Sequence, residues 1–147
     1  MGLTASSELT AHKAIYDGGP ARTILHGHPR IAVILSLDCE KLDCRGLGNC
    51  HRACATPRAV SGDPGGLHIP IVPGEVGTGP FGLCNTLPPA LTSGGGQRGV
   101  IVHGHGLFTT GAVDFRDAFA TLLEVERFCR DEYFRRVAGL DQQNDAG

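Results

Sequence analysis

The feature that most constrains this chain is the tripeptide His-Gly-His, which occurs twice, at 26–28 and at 103–105. Each copy follows a short run of β-branched and apolar residues, a composition typical of a β-strand. Successive side chains of a strand point to opposite faces, so the two histidines of each copy should share a face. Two imidazoles aimed from a rigid strand, with a glycine between them leaving room, suit a metal ion. The sequence therefore predicts a metal site, while ordinary strand-end histidines stay open as the alternative.

Length and composition indicate one globular domain. The 147 residues are enough for a hydrophobic core, and 41% of them are hydrophobic. Thirteen basic and 15 acidic residues give a net charge of -2, without the basic run that indicates nucleic-acid binding. The sequence shows neither an apolar run of membrane-spanning length nor a signal peptide. We therefore expect a cytoplasmic protein whose partners include neither nucleic acid nor membrane.

The spacing of apolar residues predicts the helices and strands. Three-to-four spacing indicates helices over 8–16, 30–37, 83–91 and 113–137, the third interrupted by Pro88 and Pro89. Apolar runs predict strands that end at His28 and that cover 67–72, 99–106 and 107–110.

Two of these predicted elements have more specific features. Pro70 has no N–H group, so it argues for an edge position of the strand 67–72. Asp114 is the expected N-cap of the last helix. That helix carries an apolar stripe, with phenylalanines beside it: Ala118, Leu122, Val125, Cys129, Phe115, Phe119 and Phe128.

A Cys-rich and Gly-rich segment from Asp38 to Gly66 interrupts the pattern. Four of the six cysteines lie in it with the spacing C-x4-C-x5-C-x3-C, namely Cys39, Cys44, Cys50 and Cys54. This spacing is not that of a standard zinc ribbon or ferredoxin, yet four thiols can clamp a structural zinc or an iron–sulfur cluster and so order a loop. The alternative is that these thiols are reduced and partly buried. The sequence shows no secretion signal, which favours a reducing compartment over an oxidising one.

Several motifs, taken in order, resemble the class II aldolase/adducin family. They are Ser6-Ser7-Glu8 followed by His12 and Ile15-Tyr16, His26-Gly27-His28-Pro29, Gly104-His105-Gly106, and Glu124-Val125-Glu126 on the last helix. The resemblance implies an α/β fold, a single three-layer α/β/α domain over 1–147 around a mainly antiparallel sheet, with the Cys-rich insertion at about 38–66. It also implies a homo-oligomer, by family analogy a tetramer, with active sites near subunit contacts. Because family members carry a sizeable segment before the Ser-Ser-Glu motif, we expect a fragment, a split gene product or a reduced member.

The resemblance also implies roles for individual residues. His26, His28 and His105 would bind a divalent metal, most commonly zinc, with manganese, cobalt or iron also possible. Glu8 would be the acid/base residue. Ser6 and Ser7 match positions that hold the substrate phosphate in sugar-phosphate aldolases. His103 stays open as a further ligand or as a residue that orients one.

The expected function is that of a metal-dependent lyase, which cleaves a carbon–carbon bond of a small hydroxy-carbonyl or sugar-derived substrate. Three neutral imidazoles leave metal positions for substrate oxygens, and the metal charge stabilises the enediolate. Glu8, ionised at a helix start, would move the protons. The same scaffold hosts epimerases, dehydratases and decarboxylases, so the reaction type stays open. A non-catalytic adducin-like interaction module and a half-subunit that needs a partner chain to complete its sheet also stay open.

Overall fold

The computed structural model describes residues 8–38, 58–62, 66–74, 79–92 and 98–144, with the side chains of the last range described up to residue 139. These residues form the following elements: α1 (Leu9–Gly18), β1 (Thr23–Gly27), α2 (Arg30–Leu37), β2 (Arg58–Ser61), β3 (His68–Val72), α3 (Leu83–Thr92), β4 (Gly99–Val102), β5 (Gly106–Gly111) and α4 (Phe115–Asn144). Within this described part of the chain, no helix has the length and apolar character needed to cross a membrane.

The strands form one sheet in the order β1-β5-β4-β3-β2. Neighbouring strands are antiparallel, except for β3 and β4, which are parallel. Helices α1 and α3 pack on one face of the sheet, and α2 and α4 pack on the other. The expected three-layer α/β/α fold around a mainly antiparallel sheet is therefore confirmed.

Period-two alternation along the central strands divides the core into two clusters. In β4, Val100 and Val102 pack with α1 and α3, whereas Ile101 faces α2 and α4. In β5, Phe108 packs with α1 and α3, whereas Leu107 faces α2 and α4. Each layer of helices therefore buries its own face of a sheet whose central strands are apolar on both sides.

The expected edge position of the strand with Pro70 is wrong. β3 lies between β4 and β2, and among the described strands the outer one is β2, which comes from the Cys-rich segment. The proline is tolerated because β4 pairs only with Ile71 and Val72, the last two residues of β3. Pro70 lies beyond that pairing, opposite Ala59 of β2.

Two helices also differ from their predicted form. α3 continues through Pro88 and Pro89, where an interruption was expected. Leu87 and Leu91 are buried against the sheet on either side of the prolines, and this burial outweighs the local cost of the missing N–H groups. α4 continues to Asn144, beyond Val137, at which the predicted helix ends.

The start and the inner face of α4 match the prediction. The Oδ1 atom of Asp114 accepts hydrogen bonds from the backbone N–H groups of Arg116 and Asp117, at 2.9 and 3.2 Å, so Asp114 is the N-cap. The predicted apolar stripe packs into the core. Phe115 and Phe119 do not, because they are 62% and 52% exposed on another side of the helix.

Candidate metal centre

The candidate centre lies where the end of β1 meets the beginning of β5. Antiparallel register places His26 opposite Phe108. His28 follows β1 directly, and His105 directly precedes β5. Because antiparallel neighbours run in opposite directions, the end of one strand lies beside the start of the other. The pairing of two strands that are far apart in sequence thus brings three histidines together.

His26, His28 and His105 form a compact cluster. One ring nitrogen from each lies within 4.8 Å of the others. The ring centroid of His26 is 4.9 Å from that of His28 and 4.9 Å from that of His105, and the latter two are 5.4 Å apart. His28 and His105 are exposed and His26 is half-buried, so the cluster opens to solvent on one side. Three convergent imidazoles with an open side can hold one divalent ion and leave room for a further ligand.

The His26 ring is fixed from both faces. It stacks on Phe108, with centroids 4.0 Å apart and planes 16° apart, and on His105 at an interplanar angle of 24°. Burial lowers the pKa of His26, and the nearby charges of His105 and His28 lower it further, although Glu8 acts in the opposite direction. The lowered pKa favours the uncharged ring, the form that binds a metal. Its Nε2 atom is buried without a hydrogen-bond partner among the described residues, which leaves its lone pair for a metal.

The space beside the histidines comes from Gly106, the first residue of β5. A Cβ atom there would lie 2.8 Å from Cδ2 of His28 and 2.9 Å from Nε2 of His26. Gly27 has a different role from the one expected, because a Cβ atom on it would lie 2.9 Å from Cδ1 of Leu122 in α4. Gly27 therefore leaves room for the helix behind the strand, and Gly106 leaves room within the cluster.

The second His-Gly-His copy is a turn, so the expectation of a second strand with two histidines on one face is wrong. β4 ends at Val102, and Gly104 has a φ of +63°, which turns the chain into β5. His105 joins the cluster, whereas His103 lies outside it. The backbone N–H of His103 donates to the carbonyl of Val72 at 3.0 Å and so ties the turn to β3.

Glu8 lies beside the cluster, at the N-cap position of α1. Its Oε2 atom is 3.8 Å from Nδ1 of His26 and 3.9 Å from Nε2 of His12, both beyond hydrogen-bond length. A carboxylate near Nδ1 favours the proton on that nitrogen and leaves Nε2 as the donor to a metal. Three imidazoles with an adjacent carboxylate combine Lewis-acid and acid/base chemistry in one place.

Six of the predicted site residues lie outside the residues that the structure describes. They are the two serines proposed for substrate binding and the four cysteines of the possible second metal clamp: Ser6, Ser7, Cys39, Cys44, Cys50 and Cys54.

Sequence reasoning assigned no role to Glu126, although the structure gives it one. Its Oε1 and Oε2 atoms accept hydrogen bonds from the backbone N–H groups of Ile31 and Ala32, at 3.1 and 3.0 Å. Glu126 of α4 therefore caps α2, the helix that follows His28 and Pro29. A signal was present, because proline at an N-cap offers no side-chain acceptor and the free N–H groups of α2 require one from elsewhere.

Comparison with known proteins agrees with this architecture. A sequence model of the class II aldolase and adducin N-terminal domain matches residues 1–133. Among solved structures, l-fuculose-1-phosphate aldolase from Thermus thermophilus is similar, with a TM-score of 0.59 and 20% sequence identity. The alignment covers 93% of this chain and 64% of the aldolase chain, so the present chain spans less than two thirds of that protein. No curated protein matches this chain.

Proposed function

Because this chain belongs to the class II aldolase and adducin family, we propose that it is a divalent-metal-dependent lyase. Its reaction would be aldol-type cleavage of a carbon–carbon bond in a small hydroxy-carbonyl compound. The observation that carries the proposal is the convergence of His26, His28 and His105, with the Glu8 carboxylate 3.8 Å from the His26 ring.

Three features support a metal at the histidine cluster. The donor set is imidazole alone, which suits zinc and also iron and other transition metals. Nε2 of His26 is buried and without a hydrogen-bond partner in the described part of the chain, as expected for a nitrogen that donates to an ion. Gly106 leaves unfilled the space that any side chain would take. When bound, a divalent metal, zinc in this proposal, would polarise the substrate carbonyl and stabilise the negative charge that develops beside it.

Glu8 moves the protons in the proposed reaction. Its carboxylate takes the proton of the substrate hydroxyl group, and that carbon becomes a carbonyl as the neighbouring carbon–carbon bond breaks. The electron pair stays on the carbon next to the original carbonyl, and Glu8 returns the proton to that carbon. Phe108 and His105 stack on the two faces of the His26 ring and so hold this proposed metal ligand in one orientation. Epimerisation, dehydration or decarboxylation would use the same residues, since each reaction forms a similar charge beside a carbonyl.

Metal content tests the metal site on which this proposal rests. Elemental analysis of the purified protein should find at least one divalent metal per chain, and His26→Ala should hold one fewer. His68→Ala is the matched control, because His68 lies on β3, where Nδ1 is 2.7 Å from the Ser61 hydroxyl, outside the cluster. Equal metal content in the wild type and in His26→Ala would show that the site assignment is wrong.

Catalysis is tested separately with Glu8→Gln. This variant should keep its metal and lose turnover of small hydroxy-carbonyl substrates. A Glu8→Gln protein that turns over such substrates at the wild-type rate would contradict the proposed role of Glu8. A wild-type protein that holds metal and cleaves no member of a broad substrate panel would favour the interaction module.

We also propose that the chain forms a homo-oligomer, by family analogy a tetramer. The supporting observation is a set of exposed apolar side chains along α4, each more than half exposed: Phe115, Phe119, Leu123 and Phe134. A competing proposal is a half-subunit completed by another chain, which the outer position of β1 among the described strands favours. Sedimentation velocity distinguishes the two, because a stable oligomer of this chain alone would exclude the half-subunit.

A further inference from the structure

Helix α2 connects the two sides of the histidine cluster. It begins two residues after His28, and near its other end Ser36 contacts the turn that carries His105. Resting on the metal centre proposed above, we infer that Ser36 is a positioning residue, which fixes the turn and thereby places the His105 imidazole for metal binding.

The Ser36 hydroxyl group makes two hydrogen bonds in a fully buried position. It donates to the carbonyl of Val33 at 2.7 Å and accepts from the backbone N–H of Gly104 at 2.8 Å. The first bond orients the hydroxyl group, so its lone pair points to Gly104. Ser36 therefore joins α2 to the residue immediately before His105.

The turn depends on this bond. The N–H groups of His103 and His105 donate to backbone carbonyls, those of Val72 and Val102, each at 3.0 Å. The N–H of Gly104 donates to a side chain, and Gly104 is the residue with the positive φ. Without the hydroxyl group, the peptide between His103 and Gly104 loses its acceptor and can rotate, which displaces His105 from the cluster.

The other end of α2 is fixed as well. Glu126 accepts from the N–H groups of Ile31 and Ala32, so the start of the helix is attached to α4. Since an eight-residue helix is rigid and about 12 Å long, Ser36 stands at a set distance from His28. The spacing between His28 and His105 thus follows from one helix that is hydrogen-bonded at both ends.

The test is a titration of the metal-free protein with Co²⁺, whose visible absorption reports both affinity and ligand geometry. Ser36→Ala should weaken Co²⁺ binding about 10- to 100-fold, the usual effect of removing a residue that orients a metal ligand, and should alter the absorption band. Thr121→Val is the matched control. Thr121 is also buried, and its hydroxyl group donates to the carbonyl of Asp117 at 3.2 Å, in α4 away from the cluster. That variant should keep the wild-type affinity and spectrum.

The outcomes separate the inference from the proposal on which it rests. A wild-type protein that gives no Co²⁺ absorption would overturn the metal centre itself. A wild type that binds Co²⁺, together with a folded Ser36→Ala that matches it in affinity and spectrum, would overturn the role of Ser36 alone. Amide hydrogen exchange in the wild type provides a second measurement that needs no variant. The Gly104 N–H should be protected, and exchange at the rate of an open peptide would also overturn the inference.

Discussion

Replacing Gly106 with alanine should weaken metal binding, because the added methyl group enters the space between two of the histidines. The methyl carbon would lie 2.6 Å from the carbonyl oxygen of Gly27, 2.8 Å from Cδ2 of His28 and 2.9 Å from Nε2 of His26. Atoms of this kind pack best at about 3.5 Å, so each contact is short by roughly 0.6 to 0.9 Å. The carbonyl belongs to β1 and cannot move alone, so that contact strains the pairing of β1 with β5, while the exposed His28 ring can shift.

The loss of metal affinity depends on how much of the strain the metal-free protein can relieve. Overpacking by one methyl group costs about 1–3 kcal/mol in a well-packed site. In the metal-free protein, the exposed His28 can relieve its contact by rotating away, whereas the contacts with the Gly27 carbonyl oxygen and the stacked His26 ring remain in both states. Metal binding must bring His28 back, so its part of this free energy appears as a loss of affinity of at most about 5- to 150-fold.

The measurement is the Kd for Zn²⁺, obtained by competition with a chromophoric chelator, with circular dichroism as the check of folding. Gly99→Ala is the matched control, since Gly99 is also a buried strand glycine. A Cβ atom on Gly99 would lie 3.3 Å from Cγ2 of Val125 and would touch no residue of the cluster. The affinity should fall in Gly106→Ala alone. A Gly106→Ala protein that binds Zn²⁺ as tightly as the wild type would refute this view of the centre.

Two further predictions concern buried groups of α4. A hydrogen bond from Arg135, supported by Arg136, holds the pKa of Glu132 below its ordinary value of 4.5. The ionised Glu132 therefore stabilises the folded protein fully above about pH 4.5, and this stabilisation is lost as the pH falls through the lowered pKa. The free energy of unfolding should therefore fall more steeply in this acid range for the wild type than for Glu132→Gln, and parallel pH profiles would contradict the assignment. Burial, with the charge of Glu126, raises the pKa of the Cys129 thiol to about 12, so roughly one thiol in 10⁴ is ionised at pH 8. Mass spectrometry after iodoacetamide treatment should find Cys129 unmodified in the folded protein and modified in guanidinium chloride, and equal labelling in both would show that the thiol is accessible.

The sequence was sufficient to predict local features, because these depend on short-range rules, whereas the choice of His26, His28 and His105 among the four histidines of the two His-Gly-His copies came from the family resemblance. Period-two alternation predicted that His26 and His28 share a face, and the structure places them together. The same rule failed for His103 and His105, since it assumes an unbroken strand. Two apolar runs separated by three residues that include a glycine are also the pattern of a hairpin. The positive φ of Gly104 makes the hairpin, and alternation of apolar residues alone does not distinguish it from a continuous strand.

The contacts that hold the centre together were harder to predict. Glu126 and Ile31 are 95 residues apart in sequence, and Ser36 and Gly104 are 68 apart. Neither pair follows from periodicity, because each depends on how α2 is placed between the sheet and α4. The sequence does indicate that an acceptor is needed, because a helix preceded by proline has N–H groups that its own N-cap side chain cannot bind.

The register of β1 against β5 is the property on which the centre finally depends, and glycines restrict it at both ends of β5. A one-residue slip would turn His26 to the opposite face of the sheet. At one end, Gly106 allows the approach of His26 and His28. At the other end, a Cβ atom on Gly111 would lie 2.3 Å from the carbonyl oxygen of Asp114 and 2.4 Å from Oγ1 of Thr23, two atoms that are hydrogen-bonded at 3.0 Å. Any other register would place a side chain of β5 in one of these two positions, so the spacing of the two glycines selects the pairing that assembles the three imidazoles.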